Sequence, residues 1–155
     1  MITRPTTAQL IDVVRRELAD RVAPAVTDPQ VATSLQMVDH ILATLAVRAE
    51  HEAGWMTEEI AAIETVGQQV ADSGLPGAPA VAEALAAFRA GRGTGRSIAE
   101  ITDDYNAATE VLSRCVEATF AAGGHLRDAV TGLLDQRLAH ETDVIGPGFQ
   151  LVGRQ

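Results

Sequence analysis

The sequence contains no lysine, and all twelve of its basic residues are arginine. Aromatic residues make up only 3% of the chain, Cys115 is the single cysteine, and no run of 18 apolar residues occurs. The missing lysine excludes Schiff-base and lysine-base catalysis. The lone cysteine excludes an internal disulfide, and the short apolar runs argue against a membrane span. With so few aromatic residues, the core has to be built from Leu, Val, Ile and Ala.

Basic charge is also scarce, since the formal net charge is −9. A protein that binds duplex nucleic acid needs a basic face to displace counterions, and no arginine cluster here outweighs the acidic background. We therefore expect neither nucleic acid nor membrane as a partner. The first ten residues contain no apolar segment of a secretion signal, and the cysteine usage fits a reducing compartment, so we expect a cytoplasmic location.

Period-two runs of β-branched residues are absent, whereas apolar residues recur with helical spacing. A chain of 155 residues has the length of one domain. The sequence therefore predicts an all-α, single-domain bundle of five or six helices over residues 1–145. The glycine-rich tail at 146–155 is predicted to be loose.

The first long helix is predicted at about 28–53. Asp28 is suited to cap it, Pro29 fits its first position, and Gly54 fits its end. Between these signals an apolar stripe repeats with spacings of three and four residues, at Val31, Leu35, Val38, Leu42, Leu45 and Ala49. A further helix is predicted to start after Thr57, as a new cap.

The second long helix is predicted at about 97–122, between a capping box at Ser97–Glu100 and the pair Gly123-Gly124. Its apolar residues follow the same rhythm, at Ile98, Ile101, Tyr105, Ala108, Leu112, Cys115 and Thr119. This second stripe is a natural packing partner for the first one. Shorter helices are predicted at the N-terminus, after Pro79 and after Gly124.

No catalytic constellation is visible in the sequence. His40 and His51 share one side of the first long helix but lie about 16 Å apart along it, too far to hold one metal ion. No Glu-x-x-His pair, nucleophile elbow or paired-carboxylate site occurs. We therefore expect no catalytic, cofactor-binding or metal-binding residue. The side of the helix carrying His40, Thr44 and His51, with Trp55 beyond it, is a candidate partner surface.

A glycine- and arginine-rich loop precedes the second long helix. Arg92, Gly93, Gly95 and Arg96 are candidates for binding an anion, because flexible backbone N–H groups, two guanidiniums and a helix N-terminus meet there. The alternative is a mobile linker made polar by its two arginines. The acidic residues of the first helical turns, Glu100, Asp103 and Asp104, are explained by the helix dipole.

The N-terminal half resembles a known family through Arg4-Pro5-Thr6, Leu10–Arg15, Val22–Ala25 and Phe88–Gly91. The family consists of small helical bacterial proteins of unknown function. Its members are typically encoded beside acyl-CoA dehydrogenases and aminoglycoside-phosphotransferase-like kinases. The resemblance covers about the first 90 residues. Beyond Gly91 the sequence departs from the family, which usually ends soon after with a short basic helix.

These observations together predict a non-enzymatic helical accessory protein that acts through protein–protein contacts. The resemblance implies an acyl-CoA dehydrogenase or the kinase-like protein as partner. The alternative is a bundle that binds an acyl chain or acyl-CoA, with Arg92 and Arg96 holding the phosphates. Homodimerisation through the two long helices is compatible with both.

Overall fold

The computed structural model describes residues 4–146, so the predicted loose tail lies outside the described residues except for Gly146. Within that range the chain forms five α-helices and no strand, which confirms the all-α prediction. The helices are α1 Thr7–Glu17, α2 Pro29–Ala71, α3 Ala78–Gly91, α4 Ile98–Thr119 and α5 Gly124–Ile145. After α1 the chain continues through a π-helical turn at Leu18–Val22 and a 3-10 turn at Ala23–Ala25.

The described residues divide into two compact units. Unit 1 comprises residues 4–52 and 141–146, and unit 2 comprises Ala53–His140. The sequence predicts one bundle over 1–145, and each unit is described by itself below.

Unit 2 contains the main hydrophobic core. Residues 53–71 of α2 and the helices α3, α4 and α5 all contribute side chains to it: Ile60, Ile63, Val70, Val81, Leu85, Phe88, Ala108, Val111, Leu112, Cys115, Leu126, Val130 and Leu133. The C-terminal part of the predicted α4 stripe is therefore buried as expected. Its first member, Ile98, is half exposed.

Two glycines allow the helices of unit 2 to approach each other closely. A Cβ atom on Gly67 of α2 would lie 2.9 Å from Val111 Cγ1, and one on Gly77 would lie 2.6 Å from Ala118 Cβ. Both distances are shorter than any normal carbon–carbon contact, so α4 packs against positions that have no side chain. A core that contains Phe88 but is otherwise built from smaller side chains gains contacts through this kind of close approach.

The predicted end of a helix at Gly54 is wrong, because α2 runs without a break from Pro29 to Ala71. Gly54 is exposed and touches nothing, and the Thr57 hydroxyl donates to the Ala53 carbonyl one turn back instead of capping a new helix. A glycine inside a helix costs about 1 kcal/mol relative to alanine. Burial of Ile60, Ile63 and Val70 in unit 2 outweighs that cost.

Unit 1 contains α1 and residues 29–52 of α2, and its core is small. Ala8 and Ala46 are its only buried hydrophobic residues within the described part of the chain. Arg15 of α1 bonds Asp39 of α2, with Nε 2.9 Å from Oδ1. Leu10 and Val14 of α1 are about half exposed.

Candidate interaction surface

A row of large apolar side chains on residues 29–52 of α2 faces solvent. We name it the α2 stripe, and it comprises Val31, Met37, Val38, Ile41 and Leu45. Their exposed fractions run from 43% at Val38 to 63% at Met37. Val31, Val38 and Leu45 are spaced by two helical turns, and Ile41 lies between them at the spacing of a coiled-coil seam. The predicted stripe shares Val31, Val38 and Leu45 with the α2 stripe, and these three residues are exposed rather than buried.

A neighbouring face of the same helix packs towards α1 within unit 1. Asp39 binds Arg15, and Ala32 and Leu35 line a cavity of about 440 Å³ together with Leu18. Because successive residues turn by about 100° around a helix, the centre of this face lies about 125° from the centre of the α2 stripe. One side of α2 thus lies towards other residues of unit 1, and the α2 stripe lies on a different side, which faces solvent.

Charge is scarce on the exposed side of this segment, where the Asp39 side chain is 46% exposed and pairs with Arg15. The residues that face solvent between positions 29 and 47 are Pro, Gln, Val, Thr, Ser, Met, Ile and Leu. The one carboxylate in the segment, Asp39, is neutralised by Arg15. In a chain of net charge −9, a surface helix normally keeps its solvent side charged. An uncharged apolar side marks a surface that is suited to contact another protein.

The first helix adds a second exposed apolar patch to unit 1. We name it the α1 face, and it comprises Leu10, Val13 and Val14, each between 45% and 52% exposed. The opposite side of α1 carries Ala8, which is buried, and the half-buried Arg15. Unit 1 therefore exposes more large apolar side chains than it buries.

The four residues of the predicted partner surface all lie on α2, which continues past Gly54. His40 and Thr44 are half-buried in unit 1 and line a cavity of about 460 Å³ with Asp12, Arg15 and other residues of unit 1. His51 is half exposed, with Nε2 3.9 Å from Glu50. Trp55 belongs to unit 2 and stacks on His140, with ring centroids 4.6 Å apart.

Unit 2 contains a buried polar cluster that the sequence analysis missed. Its centre is Glu59, which is 5% exposed. The Glu59 carboxylate accepts hydrogen bonds from Tyr105 Oη at 2.8 Å, Arg137 Nε at 3.1 Å and His140 Nδ1 at 2.9 Å. These partners lie 46, 78 and 81 residues away along the chain, so no local sequence motif predicts that they meet Glu59.

Arg137, at the edge of this cluster, makes further contacts. Arg137 also donates to Thr109 Oγ1 at 3.2 Å, and its guanidinium lies 4.8 Å from the centre of the Tyr105 ring. Burial by itself raises the pKa of Glu59, but hydrogen bonds from His140, Tyr105 and Arg137 outweigh it, so the pKa lies below the ordinary carboxyl value. The carboxylate is therefore charged at neutral pH and fully engaged in joining α2, α4 and α5 within unit 2.

The residues of the predicted anion-binding loop lie close together, but two of their backbone N–H groups donate to carboxylates of α4. Gly93 N–H donates to Asp104 Oδ1 at 2.9 Å, and Arg96 N–H donates to Glu100 Oε2 at 3.0 Å. Gly95 supplies the left-handed backbone of the turn, with φ of 65°. The Thr94 hydroxyl, followed by the Arg96 N–H, lowers the pKa of Glu100.

The arginine side chain at the start of this loop is also engaged. Arg92 Nη1 lies 3.0 Å from Glu64 Oε2, and its guanidinium lies 5.6 Å from the centre of the Phe88 ring. The helix dipole alone therefore does not account for the acidic residues nearby, since Glu100 and Asp104 bind the loop directly. An external anion would have to displace these carboxylates.

The described residues contain no cluster of three or more His, Cys, Asp or Glu side chains that could hold a metal ion. Between residues 4 and 146, no helix is both long and apolar enough to cross a membrane. Cys115 is buried as expected, and burial raises the pKa of its thiol to about 11, which keeps it in the unreactive neutral form.

No protein-family model matches the chain, and comparison with curated proteins and with solved structures finds no significant similarity.

Proposed function

We propose that this protein is a non-enzymatic helical interaction protein that acts through the exposed apolar surface of unit 1. The proposal rests on the small number of buried apolar side chains in unit 1 compared with the number of exposed ones. The α2 stripe and the α1 face expose eight large apolar side chains, while only Ala8 and Ala46 are buried hydrophobic residues among the unit's described positions. Such a surface is stabilised when another protein covers it.

The energetic scale supports a reversible contact. Complete burial of one such side chain is worth about 1.5–3 kcal/mol, and about half of each is still exposed here. Covering eight of them therefore contributes on the order of 6–12 kcal/mol, before the partner's own apolar area is counted. Association costs roughly 4–15 kcal/mol, so a complementary apolar partner is needed for a stable complex.

The resemblance of the N-terminal half suggests two candidate partners, an acyl-CoA dehydrogenase and an aminoglycoside-phosphotransferase-like kinase. In this proposal the protein is an accessory subunit to one of them. The alternative of a bundle that binds acyl-CoA has less support. Its phosphate-holding loop uses its backbone donors on Glu100 and Asp104, and Arg92 is paired with Glu64.

Co-purification of the full chain with each candidate tests the proposal. Ile41→Glu and Val14→Glu place a charge in the α2 stripe and in the α1 face, respectively, and we expect at least one of them to abolish capture. Phe120→Ser is the matched control, because Phe120 is 70% exposed in unit 2 and its loss should leave capture unchanged. The proposal is contradicted if capture survives both charged variants, or if neither candidate binds the unaltered chain.

A further inference from the structure

The N-terminal helical segment of unit 1 buries very little of itself. We name residues 7–25 the strap, which comprises α1, the π-helical turn and the 3-10 turn. The structure describes all of its positions, and Ala8 alone among them is buried. Ile11, Arg15 and Leu18 follow Ala8 at helical spacing and are half-buried, while the larger apolar side chains of the α1 face point to solvent. A contact of this kind gains little from apolar burial.

The junction between the strap and α2 is loosely packed. Three cavities of about 440, 460 and 490 Å³ lie along it, and Asp39 lines all three. The side chains that α2 contributes here include three alanines, Ala32, Ala43 and Ala46. Protein interiors contain few voids larger than a water molecule, so a junction bordered by three cavities lacks many of the dispersion contacts of a packed core.

An ion pair fastens the strap to α2 at the centre of this junction. Arg15 Nε donates to Asp39 Oδ1 at 2.9 Å, and its Nη2 donates to Oδ2 at 3.3 Å. The two side chains are 32% and 46% exposed, so water competes for both partners. Ion pairs of this exposure are weak, and they form and break at little cost.

The strap and α2 are capped separately. The capping box of Thr6 closes the start of α1, and Asp28 Oδ1 accepts from two N–H groups in the first turn of α2. Among the residues that the structure describes, no backbone hydrogen bond joins the strap to α2. Val26 and Thr27 connect them without regular structure, and such a link can absorb the backbone rotation of a hinge.

We propose that the strap is released from α2 while α2 itself stays helical, with the Arg15–Asp39 ion pair as its latch. Release uncovers the side of α2 that carries Ala32 and Ala43, and the half-buried Leu42 lies between that side and the α2 stripe. The apolar surface of this part of α2 then becomes continuous. The inference deepens the proposed function and rests on it, because release enlarges the surface that unit 1 offers to a partner.

Thiol labelling of the A8C variant of the full chain measures the release. A thiol at this buried position reacts only while the strap is open, whereas the native Cys115 reacts only when the core of unit 2 opens. Peptide mass spectrometry quantifies the two thiols of one molecule separately. We expect position 8 to be labelled at least about a hundredfold faster than Cys115. Equal rates would overturn the inference.

Reversing the latch separates release of the strap from fraying of the first turn of α1. In the A8C background, R15E sets a second carboxylate against Asp39 and should speed labelling at position 8 by at least about fivefold. R15E/D39R restores an ion pair and should bring the rate back. R21A is the matched control, because Arg21 pairs with Glu17 inside the strap, and it should leave the rate unchanged. A rate that does not respond to R15E contradicts the inference.

Hydrogen exchange separates release of the strap from unfolding of all of unit 1. Amides of α2 between residues 36 and 46 bond within their own helix, so R15E should leave their exchange unchanged. If their exchange accelerates together with labelling at position 8, unit 1 opens as a whole and the inference is wrong. No candidate partner takes part in these measurements. Failed capture therefore contradicts the proposed function alone, and a strap that never opens contradicts this inference alone.

Discussion

Glu59 shows how a single residue can organise the polar interior of unit 2. Three donors from two other helices converge on its carboxylate, and none of the buried side-chain nitrogens or oxygens among the described residues lacks a partner. A buried carboxylate is stable only when its charge is compensated in this way. The three hydrogen bonds therefore account for the burial of this carboxylate.

Replacing Glu59 by Gln should lower the free energy of unfolding by about 3 kcal/mol, because it leaves the half-buried Arg137 without its carboxylate. Glu64→Gln is the matched control, since Glu64 also pairs with arginines but is more exposed, and it should cost at most about 1 kcal/mol. Urea unfolding at neutral pH measures both. Equal losses in the two variants would contradict the prediction.

The same residue gives a pH dependence. Because the pKa of folded Glu59 lies below the ordinary value of 4.5, its stabilisation is fully present above that value and is lost as the pH falls through the folded pKa. The difference in unfolding free energy between the unaltered chain and E59Q should therefore narrow as the pH is lowered from about 7 to about 3. A constant difference over that range would show that the carboxylate charge is not involved.

Among the elements, α2 is the helix that contributes residues to both units. It supplies the small core and the exposed stripe of unit 1 through residues 29–52, and buried side chains of unit 2 through residues 53–71. Gly54 lies inside this helix, although glycine after an apolar repeat usually marks a helix end. The helix continues past Gly54 because Ile60 and Ile63, which follow it in the same helix, are buried in the core of unit 2.

Substitution of two glycines in α2 should have opposite effects. Gly54→Ala should raise the unfolding free energy by about 0.5–1 kcal/mol, since the site is helical, exposed and empty around the new Cβ. Gly67→Ala should lower it, because Val111 lies 2.9 Å from the added carbon. Urea unfolding of the two variants checks the signs. Destabilisation by Gly54→Ala would mean that a helix ends there in a left-handed conformation.

At the scale of the whole molecule, the two units differ in how much they bury. The core of unit 2 comprises thirteen interlocked residues, whereas unit 1 has two buried alanines among its described residues. Apolar burial is the main stabilising term in folding, so the units should differ in local stability. The unit expected to be less stable is the one that exposes the α2 stripe and the α1 face.

Hydrogen exchange should reveal this difference. In dilute solution, amides of α1 should exchange faster than amides of α4 near Val111 and Leu112, because few buried contacts hold α1. Mass spectrometry of peptic fragments measures both. Uniform protection of α1 and α4 in dilute solution would contradict the prediction.

The sequence by itself determined the helical class and the approximate bounds of α4, because helical periodicity and capping depend on residues within a few turns of each other. Its apolar rhythm also located three residues of the α2 stripe, Val31, Val38 and Leu45. Only the tertiary structure decided that this stripe faces solvent and that α2 passes through Gly54. It alone gathered Glu59, Tyr105, Arg137 and His140 into one cluster. These features depend on packing and hydrogen bonds between residues far apart in the chain, and periodicity carries no information about which apolar face finds a partner.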